Sequence, residues 1–366
     1  MGLMRKIPIY QPSLSGREKE YVMDCIDSNW ISSKGAYVEK FEEKFADKTQ
    51  VKYAASVSNG TVALHVALLA LGIGAGDEVI VPTLTYVASV NAISYTGARP
   101  IFADSLRDTW QIDPSEIEKK ITVNTKAILV VHLYGHPCDM DRIMSIAKRH
   151  NLFVVEDCAE AFGSLYKNIP VGGIGHIATF SFFGNKTITT GEGGMVITND
   201  KELYRRTMHL KGQGLAFNRQ YWHDVVGYNY RMTNICAAIG LAQLEQSEIF
   251  IEKKIIIAEW YKKKLDSLPL EFHNQHQDVL HTYWMNSILV KNSCERDKLR
   301  AFLESSGIET RPIFYPIHTM PMYSGGDLSY PRAEEIGSLG INLPSYPSLA
   351  EDSIEYIASK ISKFYS

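Results

Sequence analysis

Short β-branched runs alternate with helical patterns through the first half of the chain, and this alternation limits the fold more than any other feature. YAASVS is followed by TVALHVALLALG, EVIVP by YVASVNAISYTG, and RPIFAD leads to AILVVHLYG, an amphipathic DMDRIMSIAKRH and LFVVED. The repetition predicts βαβ units and an α/β fold built on a large, mixed but mainly parallel sheet. Ligands of such sheets sit outside the carboxyl ends of the strands, so Pro82, His132 and Asp157 mark the rim to inspect.

From about Leu241 the pattern becomes one long helix, LAQLEQSEIFIEKKIIIAEWYKKKL. A strand-like WMNSILV, a helical ERDKLRAFLESSG and a closing IEYIASKISKFYS follow. We therefore expect two units: residues 1–245 with an N-terminal arm and the large domain, and residues 246–366 as a smaller C-terminal α/β domain. With 366 residues, 45% of them hydrophobic, the chain can fill both cores. A net charge of −3 without long single-sign runs argues against a general nucleic-acid or membrane footprint, so any phosphate must be held locally. Cys25, Cys138, Cys158, Cys236 and Cys294 are far apart and lack CxxC spacing, which fits reduced thiols. Without an apolar leader or a spanning run, a cytoplasmic location is expected.

Two segments place opposite charges just past apolar strands. VVEDCAEAFGS presents Asp157, and SFFGNKTITTGEGGMVI presents Lys186 among Gly184, Gly191, Gly193 and Gly194. A carboxylate against a pyridine nitrogen keeps the ring protonated and electron-poor, while a lysine amine forms a Schiff base with an aldehyde. These are the two needs of pyridoxal 5′-phosphate (PLP). Taken singly, a solvated lysine and a turn-forming aspartate explain the same residues.

The turn SNGTVALHVAL opens a helix at its positive end, where Gly60 and Thr61 are candidate contacts for the cofactor phosphate. An N-cap from Ser58, Asn59 or Thr61 accounts for the same turn. Ser181, closing ATFSFF, is either a further hydroxyl donor or a strand-terminal serine. Tyr86, in VPTLTYVAS, offers a ring for stacking on the cofactor or for core packing. Glu160 either bonds the cofactor's ring hydroxyl or lies solvated at a helix start. No metal site is expected: His132 and His136 have HxxxH spacing but lie in a strand-to-loop LYGHP rather than on a helix. IGAGD follows a helix and lacks the full GxGxxG, so it reads as a helix end and turn.

In order, SNWISSKGAYVEKFEEKFA, SNGTVALHVALLALGIGAGDEVIVPTLTYVAS, EDCAEAFGS, SFFGNKTITTGEGGMV and GYNYRMTNICAAIGLAQLE resemble the DegT/DnrJ/EryC1/StrS family of sugar aminotransferases over nearly the whole chain. The resemblance implies the PLP-dependent transferase fold type I, similar to aspartate aminotransferase, and a cycle between PLP and pyridoxamine 5′-phosphate. It implies Lys186 as the Schiff-base lysine, Asp157 as the pyridinium partner, Tyr86 as the stacking ring, and Gly60, Thr61 and Ser181 as the phosphate shell. Asn229, in GYNYR, would reach the phosphate of the other subunit, which implies a homodimer or higher homo-oligomer with interfacial sites. Glu160 departs from the pattern, since the family commonly has Gln or His there.

A narrower similarity to one branch runs through LKGQG, YWHDVVGYNYRMTNICAAIGLAQLE, YWMNSILV and RPIFYPIH. It implies L-glutamate as donor and C4 of a nucleotide-linked 4-keto-6-deoxyhexose as acceptor. GDP-4-keto-6-deoxy-D-mannose is the first choice and a dTDP- or UDP-linked ketosugar the second, in O-antigen and lipopolysaccharide synthesis. Trp30, Arg311, Phe314 and His318 are the expected substrate contacts, Arg for a pyrophosphate and aromatics for flat faces. For the last three, an aromatic-rich core loop is the competing explanation. Two rivals are a 3-dehydratase of the same family, which carries histidine at the imine lysine, and a non-catalytic sugar-nucleotide-binding regulator. Lys at position 186, retained together with Asp157, favours amino transfer over both.

Overall fold

The computed structural model describes residues 6–325 and 328–366. Its first strands are β1 (Tyr53–Val57), β2 (Glu78–Pro82), β3 (Arg99–Ala103), β4 (Thr125–Val131), β5 (Phe153–Asp157), the short β6 (Leu165–Tyr166) and β7 (Ile169–Pro170), β8 (Ile177–Ser181) and β9 (Gly194–Thr198). Seven of them form one sheet in the order β1-β9-β8-β5-β4-β2-β3. From β3 to β8 the neighbours are parallel, and β9 runs antiparallel between β8 and β1. The large, mainly parallel sheet matches the expectation.

The helices of this region are α1 (Glu18–Asp27), α2 (Ala36–Thr49), α3 (Gly60–Ala70), α4 (Val87–Tyr95), α5 (Pro114–Lys119), α6 (Met140–His150), α7 (Lys201–Lys211) and α8 (Asn234–Glu245). Both faces of the sheet are covered, which is why its inner strands read as unbroken apolar runs. Side chains alternate: Val79, Val81 and Leu129 pack with α3 and α4, while Ile80, Ile128 and Val130 pack with α5 and α6. In α2 the rings of Tyr37, Phe41 and Phe45 recur every fourth residue on one buried stripe, and Gln50 in the left-handed region (φ 56°) stops the helix. Asp139 caps α6 by accepting the Arg142 N–H, and Lys148, Arg149 and His150 fill its negative last turn.

The later elements are α9 (Ser247–Leu265), β10 (Glu271–Phe272), β11 (Val279–Leu280), β12 (Asn286–Leu289), α10 (Ser293–Ser305), β13 (Arg311–Pro312), α11 (Pro331–Leu339), β14 (Gly340–Leu343) and α12 (Glu351–Tyr365). An antiparallel sheet β10-β12-β14-β13 packs against α9, α10 and α12. The long helix expected from Leu241 is two helices. At Gln246 the N–H turns to the Gln243 carbonyl, three residues back, and α9 restarts at once. In the N-terminal arm, Ile7 bridges to Ile308 and is buried with α9, α10 and α12, whereas Tyr10 reaches back to the Lys186 carbonyl.

Strand register gathers the site. Asp157 pairs with Val131 and Thr179, Ser181 with Gly194, and Gly194 with Val57. The carboxyl ends of β1, β5 and β8 and the start of antiparallel β9 thus share one rim. Asn59-Gly60, Asp157 and the β8–β9 loop carrying Lys186 all leave from it.

Candidate active site

One cavity of about 520 Å³ opens at this rim, lined by Gly60, Thr61, Tyr86, Asp157, Glu160, Ser181, Lys186 and Phe314 among others. Eight of the residues singled out in the sequence are therefore brought together.

At the start of α3, Asn59 is the N-cap, its side chain accepting the Val62 N–H at 3.0 Å. With the cap supplied by Asn59, the Gly60 and Thr61 amides remain at the positive end of an 11-residue helix beside Ser181. Gly60 is there for space: a Cβ would lie 2.7 Å from Ser181 Cβ and 3.0 Å from its Oγ. Gly194 plays the matching role on β9, where a Cβ would meet the Asn59 carbonyl oxygen at 2.6 Å. The close approach inferred from the glycine run thus joins β9 to the Asn59-Gly60 turn. Gly184 and Gly191 have open space around them.

Asp157 closes β5 and is buried. The Ser89 hydroxyl donates to Oδ2 at 2.7 Å and the Ala159 N–H to Oδ1 at 3.1 Å. Burial pushes its pKa up, against these two bonds and the charge of Lys186. A cationic ring nitrogen would favour the ionised form.

Lys186 sits in a loop clamped through its backbone. Tyr10 Oη donates to the Lys186 carbonyl at 2.5 Å, and Trp284 Nε1 to the Asn185 carbonyl at 2.7 Å. Its Nζ lies 3.9 Å from the centroid of the Trp284 ring and 3.7 Å from Glu160 Oε1. Burial pushes the lysine pKa down, opposed by Glu160 and Asp157. The sign is right for an amine that must lose its proton near neutrality.

Glu160 is buried, not solvated. Its Oε2 accepts the Tyr134 N–H at 2.8 Å, and burial, partly offset by Lys186, pushes its pKa up to about 7. Tyr134 is held in the left-handed region (φ 56°), which is uncommon for a side-chain-bearing residue. Its ring stacks against Trp284 at 5.9 Å and Phe314 at 5.3 Å. Phe314 in turn touches Tyr86, a residue 56% exposed, which leaves area free for a stacked ligand.

The remaining expected residues lie elsewhere. Arg311 is on edge strand β13, paired with Glu309 at 2.5 Å in a groove with Lys6 and Arg300. His318 is buried, bonded to Thr83 Oγ1 at 2.7 Å and Glu334 at 3.2 Å, and joins the loop after β2 to α11. Trp30 is exposed, and its carbonyl accepts from Asn234. Asn229 is exposed and bonded to Arg231 at 3.2 Å, outside this chain's own cavity.

Three supports escaped sequence reasoning: Ser89, Tyr134 and Trp284. Ser89 closed the quoted VPTLTYVAS and Trp284 stood in the quoted YWMNSILV, but only their contacts with Asp157 and Lys186 mark them out.

PLP fits this donor set. Gly60, Thr61 and Ser181 would hold its phosphate, Asp157 its ring nitrogen and Lys186 its aldehyde, and the bare Gly60 lets Ser181 stand close beside the helix start. His132 Nδ1 accepts the Cys138 N–H, and its Nε2 bonds Glu156, which also takes the N–H groups of Gly172, Ile174 and Gly175. This buried network, near Cys158, has its bonding capacity committed to the fold.

The DegT/DnrJ/EryC1/StrS aminotransferase family model matches residues 12–362. The chain is 66% identical over 363 residues to the GDP-perosamine synthase of Escherichia coli O157:H7, covering 99% of this chain and all of that one. It is 48% identical to the GDP-perosamine synthase of Vibrio cholerae, covering 98% and 99%. Among solved structures, the putative sugar aminotransferase Spr1654 from Streptococcus pneumoniae, known in PLP and PMP forms, superposes with a TM-score of 0.94 at 27% identity, covering 98% of each chain. Motif order, sheet topology and family match agree, and the chain belongs to the DegT/DnrJ/EryC1/StrS aminotransferase family.

Proposed function

We propose that this protein moves the amino group of L-glutamate to C4 of GDP-4-keto-6-deoxy-D-mannose, giving GDP-perosamine, with PLP as cofactor. The observation that carries the reading is the shared cavity of Lys186, Asp157 and the Gly60-Thr61-Ser181 turn, in a chain 66% identical to a GDP-perosamine synthase.

Bound PLP supplies an aldehyde that condenses with amines and a protonated ring that draws electrons from the bond being broken. The protein's residues do the rest. Asp157, braced by Ser89 and the Ala159 N–H, holds the proton on the ring nitrogen. The Lys186 Nζ first holds the cofactor; once the donor amine has displaced it, the same atom takes the proton from glutamate Cα. Its depressed basicity favours the neutral amine that this transfer needs. Glutamate then leaves as 2-oxoglutarate by hydrolysis, and delivery of a proton by the same amine to the sugar's C4 completes the exchange. Tyr86 and Phe314 cover flat surfaces at the cavity.

In this reading the active unit is a homodimer, with Asn229 of one subunit completing the phosphate site of its partner. Its exposure and its place outside its own chain's cavity support that role. Trp30 and the Arg311 groove remain assigned to substrate or its approach. Among the described residues no helix is long and apolar enough to cross a membrane.

The test is a panel of GDP-, dTDP- and UDP-linked 4-ketosugars incubated with enzyme, PLP and glutamate, with products identified by mass and NMR. Amination of the GDP-linked mannose derivative at C4 is expected. Amination of only a dTDP or UDP sugar removes the perosamine assignment.

A further inference from the structure

Lys254, on the first turns of α9, has no part in the scheme above and no exposed surface. Its Nζ donates to the Trp284 carbonyl at 2.6 Å, the Ser345 carbonyl at 2.9 Å and the Ser345 hydroxyl at 2.6 Å. These are neutral oxygens, and burial alone acts on the amine, pushing its basicity well down. A lysine buried this way is costly unless every proton finds an acceptor, and here three do.

Its neighbours are the two clamps of the reacting loop. Trp284, whose carbonyl Lys254 holds, bonds the Asn185 carbonyl through its indole N–H and lies over Lys186 Nζ. Tyr10, whose ring centroid is 5.5 Å from Lys254 Nζ, bonds the Lys186 carbonyl through its hydroxyl. Ser345 is fixed in turn by Asn286, and its N–H donates to the Ile9 carbonyl, next to Tyr10. One amine therefore ties α9, the N-terminal arm, the entry to β12 and the exit from β14 around a single loop.

We propose that Lys254 is a positioning residue for the reaction: by fixing the Trp284 carbonyl beside the Tyr10 ring, it sets where the Asn185-Lys186 backbone, and hence Lys186 Nζ, stands. The inference rests on Lys186 as the reacting amine.

The test compares Lys254→Met, which keeps most of the unbranched side chain but removes its donors, with wild type. Two readouts are used: amide hydrogen exchange over residues 183–190 without cofactor, and the pH midpoint of the absorbance band of lysine-bound cofactor in the holoenzyme. Exchange should rise about tenfold or more as the clamps loosen. The midpoint should move by about half a pH unit or more, and kcat should fall about tenfold with KM for glutamate within about threefold. A folded Lys254→Met with wild-type exchange and midpoint overturns the proposal. Should that variant not fold, Ser345→Ala decides: a smaller change of both readouts in the same direction supports the role, and unmoved readouts overturn it. Lys186→Ala separates the two levels. If the band survives that change, the reading of the site itself fails; if the band disappears but Lys254→Met leaves exchange and midpoint unmoved, only the positioning role fails.

Discussion

Glu160 Oε1 stands 3.7 Å from Lys186 Nζ, a buried acid against a buried base in one cavity. Each alters the proton affinity of the other, and the pair gives the site a pH dependence of its own.

Glu160 keeps its proton up to about pH 7 in the folded protein, against an ordinary value of 4.5. Between those values the unfolded chain has lost the proton while the folded one retains it. The folded state then binds more protons, so stability is present at low pH and falls as pH rises through this window, by at most roughly 3 kcal/mol. Urea unfolding of the cofactor-free enzyme at pH 5 to 8 should show wild type losing stability relative to Glu160→Gln. Parallel curves for the two proteins would sink the assignment.

Ser89→Ala removes the 2.7 Å bond to Asp157 without touching the lysine. Loss of a hydrogen bond to a charged group, about 1.5–3 kcal/mol, should lower the single-turnover rate with glutamate by about 10- to 100-fold. Asp157→Asn should cost more, because the charge itself is lost. Equal rates for Ser89→Ala and wild type would mean that Asp157 needs no support from α4.

Gly60→Ala forces a methyl group to within 2.7 Å of Ser181 Cβ. Overpacking of about 1–3 kcal/mol at the helix entry should weaken cofactor binding about tenfold or more, read from fluorescence titration of the cofactor-free enzyme. Unchanged affinity would place the phosphate elsewhere.

Asn229→Ala and Lys186→Ala should each be nearly inactive alone. Refolded together in equal amounts, random pairing puts half the chains' dimers in mixed form, each with one intact site, so about a quarter of the wild-type rate should return. A mixture as inactive as its components would show that Asn229 does not serve a neighbouring subunit.

Some of this was legible in the chain and some was not, for physical reasons. Asp157 and Lys186 could be read because parallel strands expose their carboxyl ends on one rim, so residues just past apolar runs are brought together by topology alone. Gly60 and Ser181 followed from the needs of an anion at a helix start. Trp284 and Tyr134 had no such marker: one reaches Lys186 across 98 positions of sequence, the other acts through a backbone N–H. Arg311 read as a pyrophosphate contact, and sequence cannot show that Glu309, two residues earlier, pairs with it. His318 was read as a substrate contact from its place in RPIFYPIH, and sequence cannot show that Thr83 and Glu334 bond it.

The pairing of Ile7 with Ile308, and of the Ile9 carbonyl with the Ser345 N–H, bears on how the protein is made. During synthesis Ile7 and Ile9 emerge roughly 300 residues ahead of Ile308 and Ser345. The large sheet can assemble before then, whereas Tyr10 gains its setting beside Lys254 and Lys186 only when residue 345 has been translated. The sheet that carries Lys186 is therefore translated well before the segments that seat Tyr10 against it, and the arm's docking is a late step in building the cavity wall.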